Sequence, residues 1–279
     1  MKNNLFFSKA NEAWNIYAPS MRTISARVES YKEDSKAKPI NETWREYFSD
    51  FFAQRKPYFV DSAGVAHIDI FGVLLFRETE FMLALYGGTD YAEIMDELDL
   101  AEADDKVKSI LLTVDSPGGS AVGNNRCAKR ISNCTKPIFA HTDGLCCSAA
   151  YALACGTNYF TANEDSLIGC IGTIIPMLDM SKFWEAMGIA PDYITNKDGT
   201  LKAETYPPSR TLEQKESLQE QVEDYYELFK SHVLENRNVE QDSMRGQSFV
   251  ATRAKERGLI DEISSLQQAY ANLTGFAKI

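Results

Sequence analysis

The chain of 279 residues has only three histidines, His67, His141 and His232. A Ser–His–Asp site would have to be built from one of them. His67 falls within an apolar, strand-like stretch. His141 ends another such stretch, seven residues before the serine considered below, and His232 lies in a long amphipathic helical pattern. None sits in an obvious loop facing a nucleophile, so a histidine-based triad has thin support. Six cysteines (127, 134, 146, 147, 155 and 170) form no CxxC pair and no metal-ligand spacing with histidine. The expectation is a reduced chain with no metal and no cofactor. Basic residues are outnumbered by 40 acidic to 29, for a net charge of −11, and such a surface repels phosphate backbones. Nucleic acid is therefore not an expected partner. No segment reaches the roughly 18 continuous apolar residues of a membrane span. The opening MKNNLFFSKANEAWNIY lacks the apolar core of a signal peptide. Both observations predict a soluble, cytoplasmic protein without a membrane anchor.

What is present is an ordinary globular balance, 44% hydrophobic and 25% charged. Residues 1–56 are polar and aromatic-spotted, and are read as a mostly helical accessory or assembly arm. From Pro57 onward the pattern changes, and residues 57–279 read as the functional domain. VAHIDIFGVLLF (65–76) predicts one or two strands. DYAEIMDELDLAEAD (90–104) places Ile94, Leu98 and Leu100 at near-helical spacing. KSILLTV (108–114) predicts a buried strand that stops at the glycine turn DSPGG. Residues 119–133 then read as a helix, and KPIFAHT (136–142), NYFTAN (158–163) and CIGTIIPM (170–177) as strands. The alternation argues for an α/β fold with a sheet and covering helices. Residues 211–236 form the clearest helix. Thr211 and Gln214 make a capping box, and Leu218, Val222, Tyr225, Phe229 and Val233 form one apolar stripe. After it, residues 246–263 read as a short strand or turn and a helix ended by Gly258.

The chemistry centres on DGLCCSAAYALACG (143–156). Here a strand runs into a turn, and Ser148 opens a short helix with Gly156 as its stop. A nucleophile there is held at the sheet edge, where the helix dipole favours negative charge. An isolated serine before a helix is more commonly an N-cap. DSPGG (115–119) offers backbone N–H groups of the kind that form an oxyanion hole, although a plain turn has the same composition. A lysine desolvated in an apolar pocket can replace histidine as the base. Lys197 and Lys202 lie in NKDGTLKAETYPP (196–208), a glycine-containing loop after the expected strand DYIT. Cys146 and Cys147 read as small buried fillers.

In their order, these motifs make the chain resemble the signal peptide peptidase A family of serine proteases, and within it the phage head-maturation (capsid) protease branch. DSPGGSA resembles the family's glycine turn and CSAAYALA its nucleophile helix. IGCIGT (168–173) resembles its Gly-Ser-Ile-Gly strand, and GTLKAE (199–204) its Gly-x-x-Lys. The similarity continues through GQSFVATRAKERGLID and spans roughly residues 60–265. It implies Ser148 as nucleophile and Lys202 as general base. It also implies an oxyanion hole from the N–H groups of Gly119 and Ala149, with Gly118 beside them. The family's lysine-orienting serine falls on Cys170, a departure, since a thiol is a weaker donor and acceptor than a hydroxyl. Water or another hydroxyl such as Thr173 could substitute. The implied fold is the Clp/crotonase one of stacked ββα units, with homo-oligomeric assembly and a protein or peptide substrate such as a capsid scaffold. Three alternatives remain open: a cytoplasmic peptidase clearing signal peptides or misfolded chains, a catalytically weak assembly component, and a crotonase-type acyl-CoA enzyme.

Overall fold

The computed structural model describes residues 14–16, 58–78, 83, 87–177, 179–190, 192–202 and 211–276. In chain order the strands are β1 (Trp14–Ile16), β2 (Phe59–Val60), β3 (Val65–Leu75), β4 (Gly88–Asp90), β5 (Ser109–Ser120), β6 (Ile138–Thr142), β7 (Leu145–Cys147), β8 (Tyr159–Ala162), β9 (Leu167–Gly169), β10 (Ser248–Val250) and β11 (Glu262–Ile263). The helices are α1 (Tyr91–Ala103), α2 (Asn124–Ser132), α3 (Ala149–Cys155), α4 (Ser181–Ala186), α5 (Leu212–Asn236), α6 (Ala251–Glu256) and α7 (Leu266–Phe276).

The main layer is parallel, in the order β3, β5, β6, β8, β11. A second small layer runs β7, β9, β10, with β7 parallel to β9 and β10 antiparallel to it. The layers join where Ser116 of β5 pairs with Cys146 of β7. β5 therefore serves both layers before feeding α2. β6 in the main layer is followed by β7 in the second and then by α3, and β8 and β9 repeat the two strands. This repetition of strand, strand and helix is the stacked architecture that the family resemblance implies.

The central strands Ser109–Val114 and Ile138–Thr142 are buried almost throughout, as strands covered on both faces must be. α3 is buried at all seven positions, with α2 and α5 packed around it. Its alanines explain how: small side chains let neighbouring backbones approach on every side. α5 starts at the expected capping box, Thr211 Oγ1 accepting from Gln214 N–H and Gln214 Oε1 from Thr211 N–H. Leu218, Phe229 and Val233 of its stripe are buried, whereas Val222 and Tyr225 are half-buried. Gly258, at φ +76°, follows the end of α6, and a Cβ there would lie 2.2 Å from the Asn238 carbonyl oxygen.

Five expectations need correction. β5 does not stop at DSPGG but stays extended through Ser120, because β3 continues alongside it past the glycines. The helix expected over 119–133 accordingly starts only at Asn124. The strand expected at 170–177 lies earlier, at Leu167–Gly169, where β7 and β10 supply partners. Residues 192–195, expected as a strand, are not in one. The helix expected over 90–104 is present as α1, which buries Tyr91, Ile94, Leu98 and Ala101 and leaves Leu100 exposed. Of the arm read as mostly helical, only Trp14–Ile16 falls within the described residues, and it is a strand on β5. The rest of that expectation lies outside the described residues.

Candidate active site

Ser148 stands between β7 and α3 with φ +55° and ψ −121°. That conformation is unfavourable for any residue with a Cβ, and costs on the order of 1–3 kcal/mol. The surroundings impose it. Ser148 N–H donates to the Gly169 carbonyl at 2.6 Å, and the Ser148 carbonyl accepts from Ala152 N–H at 3.0 Å. The next carbonyl, of Ala149, accepts from Asn124 Nδ2 at 3.0 Å. Ser148 Oγ is buried with no hydrogen-bond partner among the described residues, and the side chain makes no N-cap bond. The N-cap reading of Ser148 is therefore not realised. What remains is a strained serine whose hydroxyl is unspent, at the mouth of a buried helix.

The glycine segment meets it from β5. β5 and β7 are parallel with Ser116 opposite Cys146, so two residues further along each chain Gly118 and Ser148 reach the same end of the pair. Gly119 has no room for a side chain, since a Cβ would lie 1.9 Å from the Leu74 carbonyl oxygen. Gly118, at φ +99°, donates its N–H to Ser116 Oγ at 3.1 Å, and that hydroxyl donates to the Gly72 carbonyl at 2.6 Å. The Gly118 donor is thus already engaged. Asp115 Oδ1 accepts from Leu145 N–H at 3.0 Å and so ties the DSPGG segment to the turn before β7.

None of the three histidines is bonded to Ser148. His67 Nε2 bonds Asp61 Oδ2 at 3.1 Å. His141 is buried between Thr161 Oγ1 at 2.7 Å and Asp143 Oδ1 at 3.0 Å. His232 Nε2 donates to the Ala152 carbonyl at 3.1 Å, and burial pushes its pKa down. Each of the three therefore has a structural partner.

The cysteines are free thiols. Burial pushes the Cys146 thiol well up and that of Cys147, beside Cys170, to about 12, so neither competes with Ser148 as a nucleophile near neutral pH. Cys170 is half-buried with φ +55°, and its N–H donates to the Gln247 carbonyl at 2.6 Å. Burial raises its pKa, and the nearby Ser248 hydroxyl, which lies 3.8 Å from Cys147 Sγ, offsets part of the rise.

Lys202 lies elsewhere in character. It is exposed, on turns spanning residues 197–202. Its N–H donates to the Gly199 carbonyl at 3.1 Å, and Gln214 Nε2 of α5 donates to the Thr200 carbonyl at 2.8 Å. Lys197 is exposed as well. Among the described residues, neither lysine bonds Ser148 within one chain. The residues after Lys202, through Arg210, lie outside the described set.

Sequence reasoning missed the supports. Tyr91 Oη of α1 donates to the Ser120 carbonyl at 2.8 Å and fixes the end of β5, while Asn124 of α2 holds the Ala149 carbonyl at the start of α3. Arg237, reaching from beyond α5, donates to the carbonyls of Cys155 at 2.9 Å and Thr157 at 3.1 Å, capping the end of α3. Only spatial contact identifies these residues, and one sequence carries no signal for them.

A serine with positive φ and an unpaired hydroxyl thus stands at the start of a buried helix, beside a glycine-bearing strand of a two-layer α/β fold, and such a hydroxyl is chemically free to act as a nucleophile. The chain belongs to peptidase family S49, whose model matches residues 130–279, and the Clp protease model matches residues 62–164. It is 30% identical to "Putative protease MJ0651" of Methanocaldococcus jannaschii, over 68% of this chain and 61% of that one. It is 28% identical to "Putative signal peptide peptidase SppA" of Enterococcus faecium, over 66% and 55%, and 28% identical to "Capsid assembly protease C" of Escherichia phage lambda, over 61% and 39%. The matched region thus spans less than two thirds of the length of each of these relatives. Among solved structures, an enoyl-CoA hydratase of Shewanella pealeana covers 83% of this chain at 13% identity and a TM-score of 0.46, with 80% of that chain matched. No helix among the described residues is long and apolar enough to cross a membrane.

Proposed function

We propose that the protein is a serine endopeptidase with a Ser–Lys dyad, and that its role is capsid maturation through degradation of a scaffold protein. The observation that carries the catalytic reading is the buried, unpartnered Ser148 hydroxyl held at φ +55°. Lys202 in its neutral form takes the Ser148 proton as Oγ attacks the peptide carbonyl. The oxyanion is held by the N–H groups of Gly119 and of Ala149, the latter at the first turn of α3, where helical N–H groups lack intrahelical partners. The proton passes to the departing amine, and water then hydrolyses the acyl-enzyme. Cys170 keeps the lysine-orienting position, with the Ser248 hydroxyl beside its thiol as the stronger hydrogen-bonding group.

The dyad closes between two copies of the chain. In support, Lys202 is exposed on a segment that carries exposed Phe183, Met187, Ile189 and Ile194, and α4 within it has no buried residue. An apolar surface of this kind fits contact with a second copy better than contact with water. The capsid role draws on the phage relative, and the signal-peptide-clearing alternative draws on the SppA relative. Co-expression with a scaffold protein separates the two. Ser148→Ala should lower cleavage on the order of 10⁴-fold or more, and Lys202→Ala by about 10²–10⁴-fold. Processing that persists in Ser148→Ala would sink the catalytic assignment. Active enzyme that spares scaffold but cleaves signal peptides would move the role to the alternative.

A further inference from the structure

We infer that residues 14–16 form an internal pseudosubstrate: β1 fills the edge of β5 that an extended peptide must take to reach Ser148. The inference rests on the reading of Ser148 as nucleophile. Gly118 and Gly119 each have two strand partners. Val73 and Leu74 of β3 lie on one edge, Ile16 and Asn15 of β1 on the other. Without β1, that second edge at Gly118–Ser120 would present unpaired backbone groups, a ready template for strand addition by a peptide. The site accepts backbone rather than any particular side chain, so its ligand class is an extended polypeptide.

The polarity also fits. β1 runs antiparallel to β5, with Trp14 opposite Ser120 and Ile16 opposite Gly118. The chain therefore travels towards the level at which Ser148 follows β7, and Ile16, opposite Gly118, lies at the nucleophile's end of β5. A peptide in the same strand position would need the same hydrogen-bonding groups, so arm and substrate exclude each other. A tether raises the local concentration of the arm to about the millimolar range, which lets a three-residue strand compete with free peptides. Such a weak contact is also easily displaced by a longer substrate.

The test uses the full chain carrying Asn15→Pro and Ile16→Pro together. Successive residues of a strand direct their N–H groups to opposite edges, so one of the two prolines removes a donor to β5. Hydrolysis of an unstructured peptide should rise about threefold to tenfold in kcat/KM, through KM, with kcat unchanged. A synthetic peptide of residues 10–20 should then inhibit the variant competitively. Unchanged kcat/KM with no inhibition overturns the inference. A second measurement needs no activity. In a Ser148→Ala background, the labelled 10–20 peptide should bind the proline variant more tightly than its parent, by fluorescence anisotropy. Equal binding to both, or binding to neither, overturns the pseudosubstrate. Preferential binding without hydrolysis by any active-site-intact chain sinks the protease reading and leaves the arm's site standing. Should the variant not fold, amide exchange on the unsubstituted chain decides. Within residues 14–16, the amides whose N–H groups face β5 should exchange slowly and lose that protection when a peptide substrate saturates the site. Exchange at the unprotected rate overturns the inference.

Discussion

Residues 143–156 and residues 181–202 carry the two halves of the proposed dyad, and they are built in opposite ways. The first runs from β7 through Ser148 into α3, whose seven residues are all buried and held by Asn124, His232 and Arg237. The second has exposed apolar side chains, a short helix with no buried residue, and Lys202 on an exposed turn. A nucleophile in a strained conformation needs a rigid frame, because only a packed core can hold about 1–3 kcal/mol of backbone strain in place. A base on a segment without a core of its own gains a fixed position only when another surface covers it. The comparison therefore predicts that one chain fixes the serine and a second chain completes the site.

The strongest way to break that comparison is to mix two inactive chains. Ser148→Ala and Lys202→Ala protomers, co-assembled, should recover a sizeable fraction of wild-type cleavage if the dyad forms between copies. Recovery no greater than the sum of the separate variants would place both residues in one chain. The next largest effect is on stability. Phe229→Ala, within the frame around α3, should cost about 3–5 kcal/mol of unfolding free energy in denaturant titration. Phe183→Ala, on the uncovered segment, should stay within about 0.5 kcal/mol in dilute solution while weakening self-association measured by sedimentation. Asn124→Ala should cost about 0.5–1.5 kcal/mol, since it removes the side-chain bond to the Ala149 carbonyl, and should lower kcat with it. A loss of stability with unchanged kcat would detach Asn124 from the positioning of Ser148.

The smallest effect is a pH dependence. Burial lowers the His232 pKa, outweighing the bond to the Ala152 carbonyl and the nearby Glu235. The folded state then binds the proton less readily than the unfolded chain, so stability is fully present above the unfolded value of about 6.5. It is lost as pH falls from there through the folded value. Thermal unfolding midpoints should decline over that interval, and His232→Gln should flatten the decline. An identical slope in the variant would assign the effect to another group.

Much of the frame was legible in the sequence, for a physical reason. Buried strands such as Ile110–Val114 and the stripe of α5 are written in local periodicity, and the Thr211–Gln214 capping box is a contact three residues apart. Leu100 shows the limit of that reading. Its spacing suits a helix, yet which face of α1 is covered depends on the sheet behind it, and Leu100 faces away. The glycine segment misled in the same way: DSPGG has the composition of a turn, but β3 alongside keeps it extended. Cys146 and Cys147 behaved as the small buried residues their setting in the sequence suggests.

The sequence by itself determined the class of fold and the family, because helix and strand periods, glycine positions and motif order are properties of neighbouring residues. Tertiary structure alone decided that the Ser148 hydroxyl is unspent, that the Gly118 N–H is engaged by Ser116, and that Lys202 is exposed within the chain. It also alone decided that Trp14–Ile16 lies along the glycine strand more than a hundred residues away. Such facts depend on which distant backbone groups satisfy one another once the layers close, and no local pattern records that pairing.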